Sequence, residues 1–118
     1  KLPFSAWNRT ALDGYIECGL IETSEGTELA CRPSDEAAIY RAATEHGVWD
    51  LLGKVDPPVV VLAGGTSETH PVAFVRRLAS QIPQCEYEIV PDTGHFLPME
   101  MPEVVADHIK RIGAWLTS

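Results

Sequence analysis

Gly94-His95-Phe96 closes an extended run, Glu86-Tyr87-Glu88-Ile89-Val90-Pro91-Asp92-Thr93, and leads through Leu97-Pro98-Met99-Glu100 into a helix announced by Pro102-Glu103. A histidine at such an exit can serve as a general base, because a neutral imidazole takes up a proton near physiological pH. Upstream, the apolar run Val59-Val60-Val61-Leu62-Ala63 ends in Gly64-Gly65-Thr66-Ser67-Glu68, which sets a carboxylate on a comparable exit loop. An acid and a base are thus available, with no nucleophile in view.

Both loops depend on the elements that carry them. Val59 to Ala63 is bounded by Pro57-Pro58 and by two glycines, and three of its five residues are valine. That composition reads as a strand buried on both faces, the signature of a parallel sheet. Pro71 suits the first turn of a helix whose face is Val75, Leu78, Ala79 and Ile82, ending before Pro83. With the second strand this makes a βαβ unit. Its crossover is expected to be right-handed, so the loops after Ala63 and after Pro91 leave from one carboxyl edge. Neighbouring strands lie about 4.8 Å apart, so Glu68 and His95 are expected to meet there as the orienting carboxylate and the base of a nucleophilic triad. The last helix, from Pro102, carries Val105, Ile109, Ile112 and Leu116 on a face expected to lie against the sheet.

Before this core, Asn8 is a plausible N-cap for a helix near 8–18 with Ala11, Leu12, Tyr15 and Ile16 at helical spacing and Gly19 as its stop. Thr23-Ser24-Glu25-Gly26 suggests a turn between two short strands. Ser34 or Asp35 is expected to cap a second helix, with Ala38, Ile39, Ala42 and Ala43 as its stripe and Gly47 as its end. The one plausible boundary falls near Lys54 to Pro58, dividing a helical excursion, 1–53, from a βαβα core, 54–118. Two parallel strands are few for such a sheet, and half of it is expected to be missing. The opening Lys1-Leu2-Pro3-Phe4-Ser5 is neither a tag nor a targeting peptide and hints at a piece of a larger protein.

The 118 residues fall in the range of one domain, and a 45% hydrophobic content is ample for a core. The balance of 9 basic against 17 acidic residues gives a net charge of -8, which disfavours nucleic acid and anionic membranes and leaves small molecules or proteins as partners. No stretch approaches the roughly 18 apolar residues of a membrane span. Cys18, Cys31 and Cys85 are odd in number and lack a CxxC pair, so neither a disulfide framework nor a zinc site is expected. They read as reduced cysteines of a cytoplasmic protein.

The residues around both loops resemble the α/β-hydrolase family, specifically its carboxyl-terminal part. Val59 to Glu68 is similar to the penultimate strand and acid loop, and Pro91-Asp92-Thr93-Gly94-His95-Phe96-Leu97-Pro98-Met99-Glu100-Met101-Pro102-Glu103 to the histidine loop and the start of the last helix. Residues 1–53 are similar to the end of the cap. The resemblance implies a partial α/β-hydrolase fold, His95 as catalytic histidine, no metal or organic cofactor, and an ester, lactone or related carbonyl substrate. The family usually sets an aspartate three residues after the strand-end glycine, where this chain has Ser67, so Glu68 is one position late; some members draw the acid from an earlier strand. The family's Gly-x-Ser-x-Gly nucleophile elbow and oxyanion loop are absent from these residues. The missing amino-terminal half, or a partner, would supply them, and this chain alone is expected to be inactive.

Other residues have plainer readings. His70, before Pro71, flanks a helix; His46 favours a helix carboxyl end; His108 sits within the last helix; Asp92 suits a turn hydrogen bond. Phe96 is the expected substrate contact, while Trp7, Trp49 and Met99 can line a pocket or fill core. The rival reading is a noncatalytic α/β fragment that self-associates through exposed strand edges, a homo-oligomer when stable alone.

Overall fold

The computed structural model describes residues 3–43 and 45–115. After a 3-10 turn at Pro3–Ala6, the elements run α1 (Arg9–Gly19), β1 (Leu20–Thr23), β2 (Gly26–Leu29), α2 (Pro33–Ala42), a 3-10 helix at Val48–Lys54, β3 (Val59–Gly64), α3 (Val72–Ala79), β4 (Cys85–Val90), α4 (Leu97–Glu100) and α5 (Pro102–Trp115). Strands and helices alternate from β3 onward. The fold is α/β, with two parallel strands and flanking helices, and β1 and β2 form a separate antiparallel hairpin.

Local chemistry accounts for most boundaries. Asn8 Oδ1 accepts the Thr10 N–H at 2.9 Å, capping α1. In the hairpin, Thr23 Oγ1 accepts the Glu25 N–H and donates to the Gly26 carbonyl, closing the turn. For α2, Arg32 is the N-cap and Pro33 fills the first turn, where its missing N–H costs nothing, so neither Ser34 nor Asp35 caps it. The helix ends at Ala42, and His46 lies beyond it, its Nδ1 accepting the Val48 N–H at 3.0 Å. His46 therefore lies just before the 3-10 helix, accepting from its first N–H, and does not sit at the end of α2.

The β3–β4 ladder runs in parallel register from Val59 opposite Cys85 to Gly64 opposite Val90, so both strands release their loops at one edge. Val75 and Ala79 of α3, with Ile82, Val90 and Leu97, form the buried apolar centre. Contrary to the expectation of burial on both faces, Val59 to Ala63 are only half-buried. The cause is a missing neighbour: among the described residues β3 pairs with β4 alone, and its other edge is open. Val105 and Ile112 of α5 are half-buried as expected, but Ile109 is 65% exposed. The packed side of α5 instead includes His108, whose Nε2 lies 3.1 Å from Glu88 Oε2 of β4. Leu116 lies outside the described residues.

The radius of gyration is 17.0 Å, against about 13–14 Å for a compact domain of this length. The excess reflects residues 9–42, whose side chains are almost all exposed. Among the described residues no helix is long and apolar enough to cross a membrane.

Candidate functional site

The site is built where the two exit loops are bound to each other. Gly65 N–H donates to the Val90 carbonyl at 2.8 Å, extending the ladder by one bond, and Thr66 donates to the Thr93 carbonyl from both its N–H (3.0 Å) and its hydroxyl (2.8 Å). Ser67 N–H turns back to the Gly64 carbonyl at 3.1 Å. On the other loop, Asp92 takes a left-handed backbone, φ 55°, and the Thr93 hydroxyl donates to the Pro91 carbonyl. The turn is made that way, with no side-chain hydrogen bond from Asp92 among the described residues. Gly94 N–H then donates to Glu100 Oε2 at 2.8 Å, tying the histidine loop to α4.

Gly64 is required by this closeness. A Cβ there would lie 2.0 Å from the Gly94 carbonyl oxygen and 2.4 Å from that of Thr93, so only glycine lets the strand end pass the histidine loop.

The turn at Ser67 decides what faces His95. Ser67 is buried, and its Oγ lies 3.5 Å from His95 Nδ1 while accepting the His70 N–H at 3.2 Å. His70 Nδ1 lies 3.4 Å from His95 Nδ1, with the ring centroids 5.1 Å apart and the planes 29° from parallel. His70 also packs against Phe74 of α3, centroid to centroid 5.2 Å. Among the described residues no hydrogen bond engages His95 Nε2, which leaves that nitrogen open to a reacting group.

Glu68 is exposed, and no hydrogen bond or ion pair joins it to His95. The structure brings His95 together with Ser67 and His70, not with Glu68. Phe96 lies edge-on to His95 (5.4 Å, 62°) and against Trp7 (5.4 Å), within a cluster that includes Phe4 and Tyr15. Through this cluster and the Asn8 N–H to Met99 carbonyl bond of 2.7 Å, the amino-terminal segment reaches the histidine loop. Trp49 lies elsewhere, beside Phe74 and beneath the Arg77 guanidinium.

A cavity of about 580 Å³ runs along the open side of β3 from Val60 to Gly64, between Val75 and Leu78 of α3 and Leu97 and Val105 on the other side. Ser67, His70 and His95 form its polar end. A largely apolar cleft with a few convergent polar groups at one end is the usual form of a small-molecule site. Cys85 stands at the opposite end of the ladder, paired with Val59. Burial, then the charge of Glu86, push its thiol pKa up, against a smaller lowering by a backbone hydrogen bond with Val61, so it is a poor nucleophile. Among the described residues no group of three or more His, Cys, Asp or Glu could hold a metal ion.

Sequence reasoning placed Ser67 at the family's usual acid position and read His70 as flanking a helix, and brought neither to His95. The signal for Ser67 was its spacing, three residues past Gly64. Nothing in the sequence gave the ring contact of His70, which depends on the turn that Ser67 closes.

No family model matches the chain. An uncharacterized hydrolase of Bacillus subtilis (strain 168), YugF, is 29% identical over 85 aligned positions, covering 66% of this chain and 31% of that protein. The crystal structure of E-2-(acetamidomethylene)succinate hydrolase superposes with a TM-score of 0.80 at 17% identity, over 92% of this chain and 40% of the other. A thermophilic esterase from Thermogutta terrifontis, solved with malate bound, is 36% identical with a TM-score of 0.52, over 59% of this chain and 25% of its own. The chain thus spans less than half the length of each of these three proteins.

Proposed function

We propose that this chain, which carries the carboxyl-terminal portion of an α/β-hydrolase fold, contributes the general base His95 to hydrolysis of an ester, lactone or related carbonyl compound, its nucleophile supplied by polypeptide outside these residues. The observation that carries the reading is the setting of His95: an imidazole at the carboxyl edge of a parallel strand pair, its Nδ1 hydrogen-bonded, at the mouth of an apolar cavity. One structural neighbour is named an esterase and another hydrolyses an acetamidomethylene succinate, both consistent with carbonyl chemistry.

In this reading a hydroxyl or carboxylate nucleophile enters from the open side of β3. For a hydroxyl, His95 Nε2 takes its proton as the oxygen attacks the carbonyl carbon, then returns that proton to the leaving group; water repeats the cycle on the acyl intermediate. Phe96, edge-on to His95, is the apolar contact for the substrate. Among the described residues Glu68 makes no contact with the ring, so in this reading the orienting acid, like the nucleophile, comes from polypeptide outside these residues.

Replacing His95 by alanine in the complete gene product tests the reading. Turnover of a chromogenic acyl ester should fall by about 10²–10⁴-fold, with the unfolding midpoint nearly unchanged because His95 is exposed. Retained turnover defeats it. Serine-directed fluorophosphonate should label the complete product and not the 118-residue chain.

The open edge of β3 also favours the noncatalytic alternative, in which a second copy covers the edge. Light scattering behind size exclusion at several concentrations separates them: concentration-dependent dimers support pairing of copies, and a well-folded monomer throughout counts against it.

A further inference from the structure

Two imidazole nitrogens face each other at the polar end of the cavity. His70 Nδ1 and His95 Nδ1 lie 3.4 Å apart, and their ring centroids 5.1 Å apart. The nitrogens are much closer than the centroids, so each ring turns its Nδ1 edge toward the other, although the planes are only 29° from parallel. For a shared proton the gap is long, beyond the roughly 2.7–3.2 Å at which an N–H ordinarily donates. For a shared metal ion it is the right length. Zn–N bonds of about 2.0–2.1 Å at a tetrahedral angle set two nitrogens about 3.3–3.4 Å apart, and rings aimed at the ion then have centroids about 5.2 Å apart. Both observed separations agree with that geometry. The rings are also held before any ion arrives: the His70 N–H is bonded to Ser67 Oγ and its ring packs on Phe74, while the loop carrying His95 is tied to α4 by the Gly94 to Glu100 bond.

We propose that His70 Nδ1 and His95 Nδ1 form a reversible inhibitory site for a borderline-soft divalent cation, Zn²⁺ above all. Imidazole suits Zn²⁺, whereas Mg²⁺ and Ca²⁺ demand oxygen ligands. Among the described residues no third His, Cys, Asp or Glu completes a metal-binding group, so water fills the remaining positions and a chelator removes the ion. Ser67 Oγ, 3.5 Å from His95 Nδ1, stands where it can accept from such a water. The inhibitory effect rests on the reading of His95 as the base; the site itself does not. A metal on Nδ1 uses the lone pair there, so the ring's own proton must sit on Nε2, the nitrogen that has to receive the nucleophile's proton. That proton moves from Nδ1 to Nε2 through solvent, and none is released. The ion also takes the nitrogen that an orienting acid would hold. Zinc therefore stops the base without touching the nucleophile.

Zinc chloride titrated into the 118-residue chain, followed by long-range ¹H–¹⁵N correlation of the imidazoles, tests the site without any turnover. Cys18 and Cys31, exposed thiols that bind zinc in their own right, are first replaced by serine. The Nδ1 resonances of His70 and His95 should move together and saturate at one equivalent, before His46 or His108 responds. EDTA should reverse the change, and magnesium chloride should not produce it. His70→Phe keeps a ring on Phe74 and removes one ligand. It should weaken zinc binding at His95 by at least the roughly 10- to 100-fold that loss of a mere outer-shell partner costs at other metal sites. In the complete gene product zinc should suppress turnover of the acyl ester, and the ratio of turnover with and without zinc should return toward one in His70→Phe. That ratio cancels any change in basal turnover. No zinc-induced shift at either ring, or zinc binding at His95 that His70→Phe leaves unaltered, overturns the site. Zinc bound at both rings with turnover undiminished overturns the inhibition. Unchanged turnover in His95→Ala defeats the reading of the base instead and leaves the zinc titration standing, so the failures are separable.

Discussion

The joined loops at 64–70 and 91–100 and the excursion at 9–42 are opposite ways of holding a chain in place. In the loops, successive backbone groups find partners across the strand exits, Ser67, Thr93 and Leu97 are buried, and Gly64 passes within reach of the facing carbonyls. In the excursion, hydrogen bonding is nearly all local, and the apolar side chains of α2 face outward, with Ile39 and Tyr40 65% and 69% exposed. Order at the site comes from directional bonds between two loops and not from a large core. The excursion is regular because its own sequence caps and turns it, and it is tied to the site mainly through Trp7 and Asn8, which immediately precede it.

Gly64→Ala should break this contrast most severely. Overpacking in a core ordinarily costs about 1–3 kcal/mol, and here the displaced neighbour is backbone that cannot rotate away, so the loss should reach or exceed the upper end. Denaturant midpoints measure the loss, and disappearance of the His70–His95 contact in nuclear Overhauser spectra would locate it. A variant of wild-type stability with that contact intact would mean the loops are not closed as described.

Glu100→Ala should act more mildly. It strips the Gly94 N–H of its carboxylate acceptor, and a hydrogen bond to a charged group is worth about 1.5–3 kcal/mol. Glu100→Gln keeps an acceptor oxygen and should recover part of that. Amide exchange at Gly94 reads the bond directly: protection should vanish in the alanine variant and return in part with glutamine.

How much of this was legible in the sequence follows the same division. The β-branched run after Pro57-Pro58 marked β3, the glycines after it marked its exit, and Asn8, Gly26 and Pro102 marked their elements, because each acts through its own backbone. What the sequence could not display was whether a partner layer exists. The stripe Ala38, Ile39, Ala42 and Ala43 announces a helix, yet none of its residues is buried, and Ile109, in register with Val105, is exposed while His108 takes the packed side of α5. At the site, His95 was visible through its flanks. The identity of its neighbours was not, because Glu68 and Ser67 are adjacent in sequence and a single turn hydrogen bond, Ser67 N–H to the Gly64 carbonyl, selects which one is buried.

The smallest effect has the opposite sign and tests the excursion by itself. Gly14 lies within α1, and a Cβ there would meet nothing within 4 Å. Alanine narrows the unfolded ensemble and favours the helix, so Gly14→Ala should stabilise α1 by about 0.5–1 kcal/mol. The site should not notice: His95 and His70 resonances should keep their wild-type shifts, because α1 reaches the histidine loop through residues that precede it and through the ring of Tyr15. Helicity by circular dichroism should rise slightly, and exchange protection should increase within 9–19 alone. If protection rose equally at Gly65, Thr66 and Gly94, the two regions would be unfolding as one cooperative unit, and the picture of a bonded site carrying a loosely coupled excursion would have to be replaced by a single coupled structure.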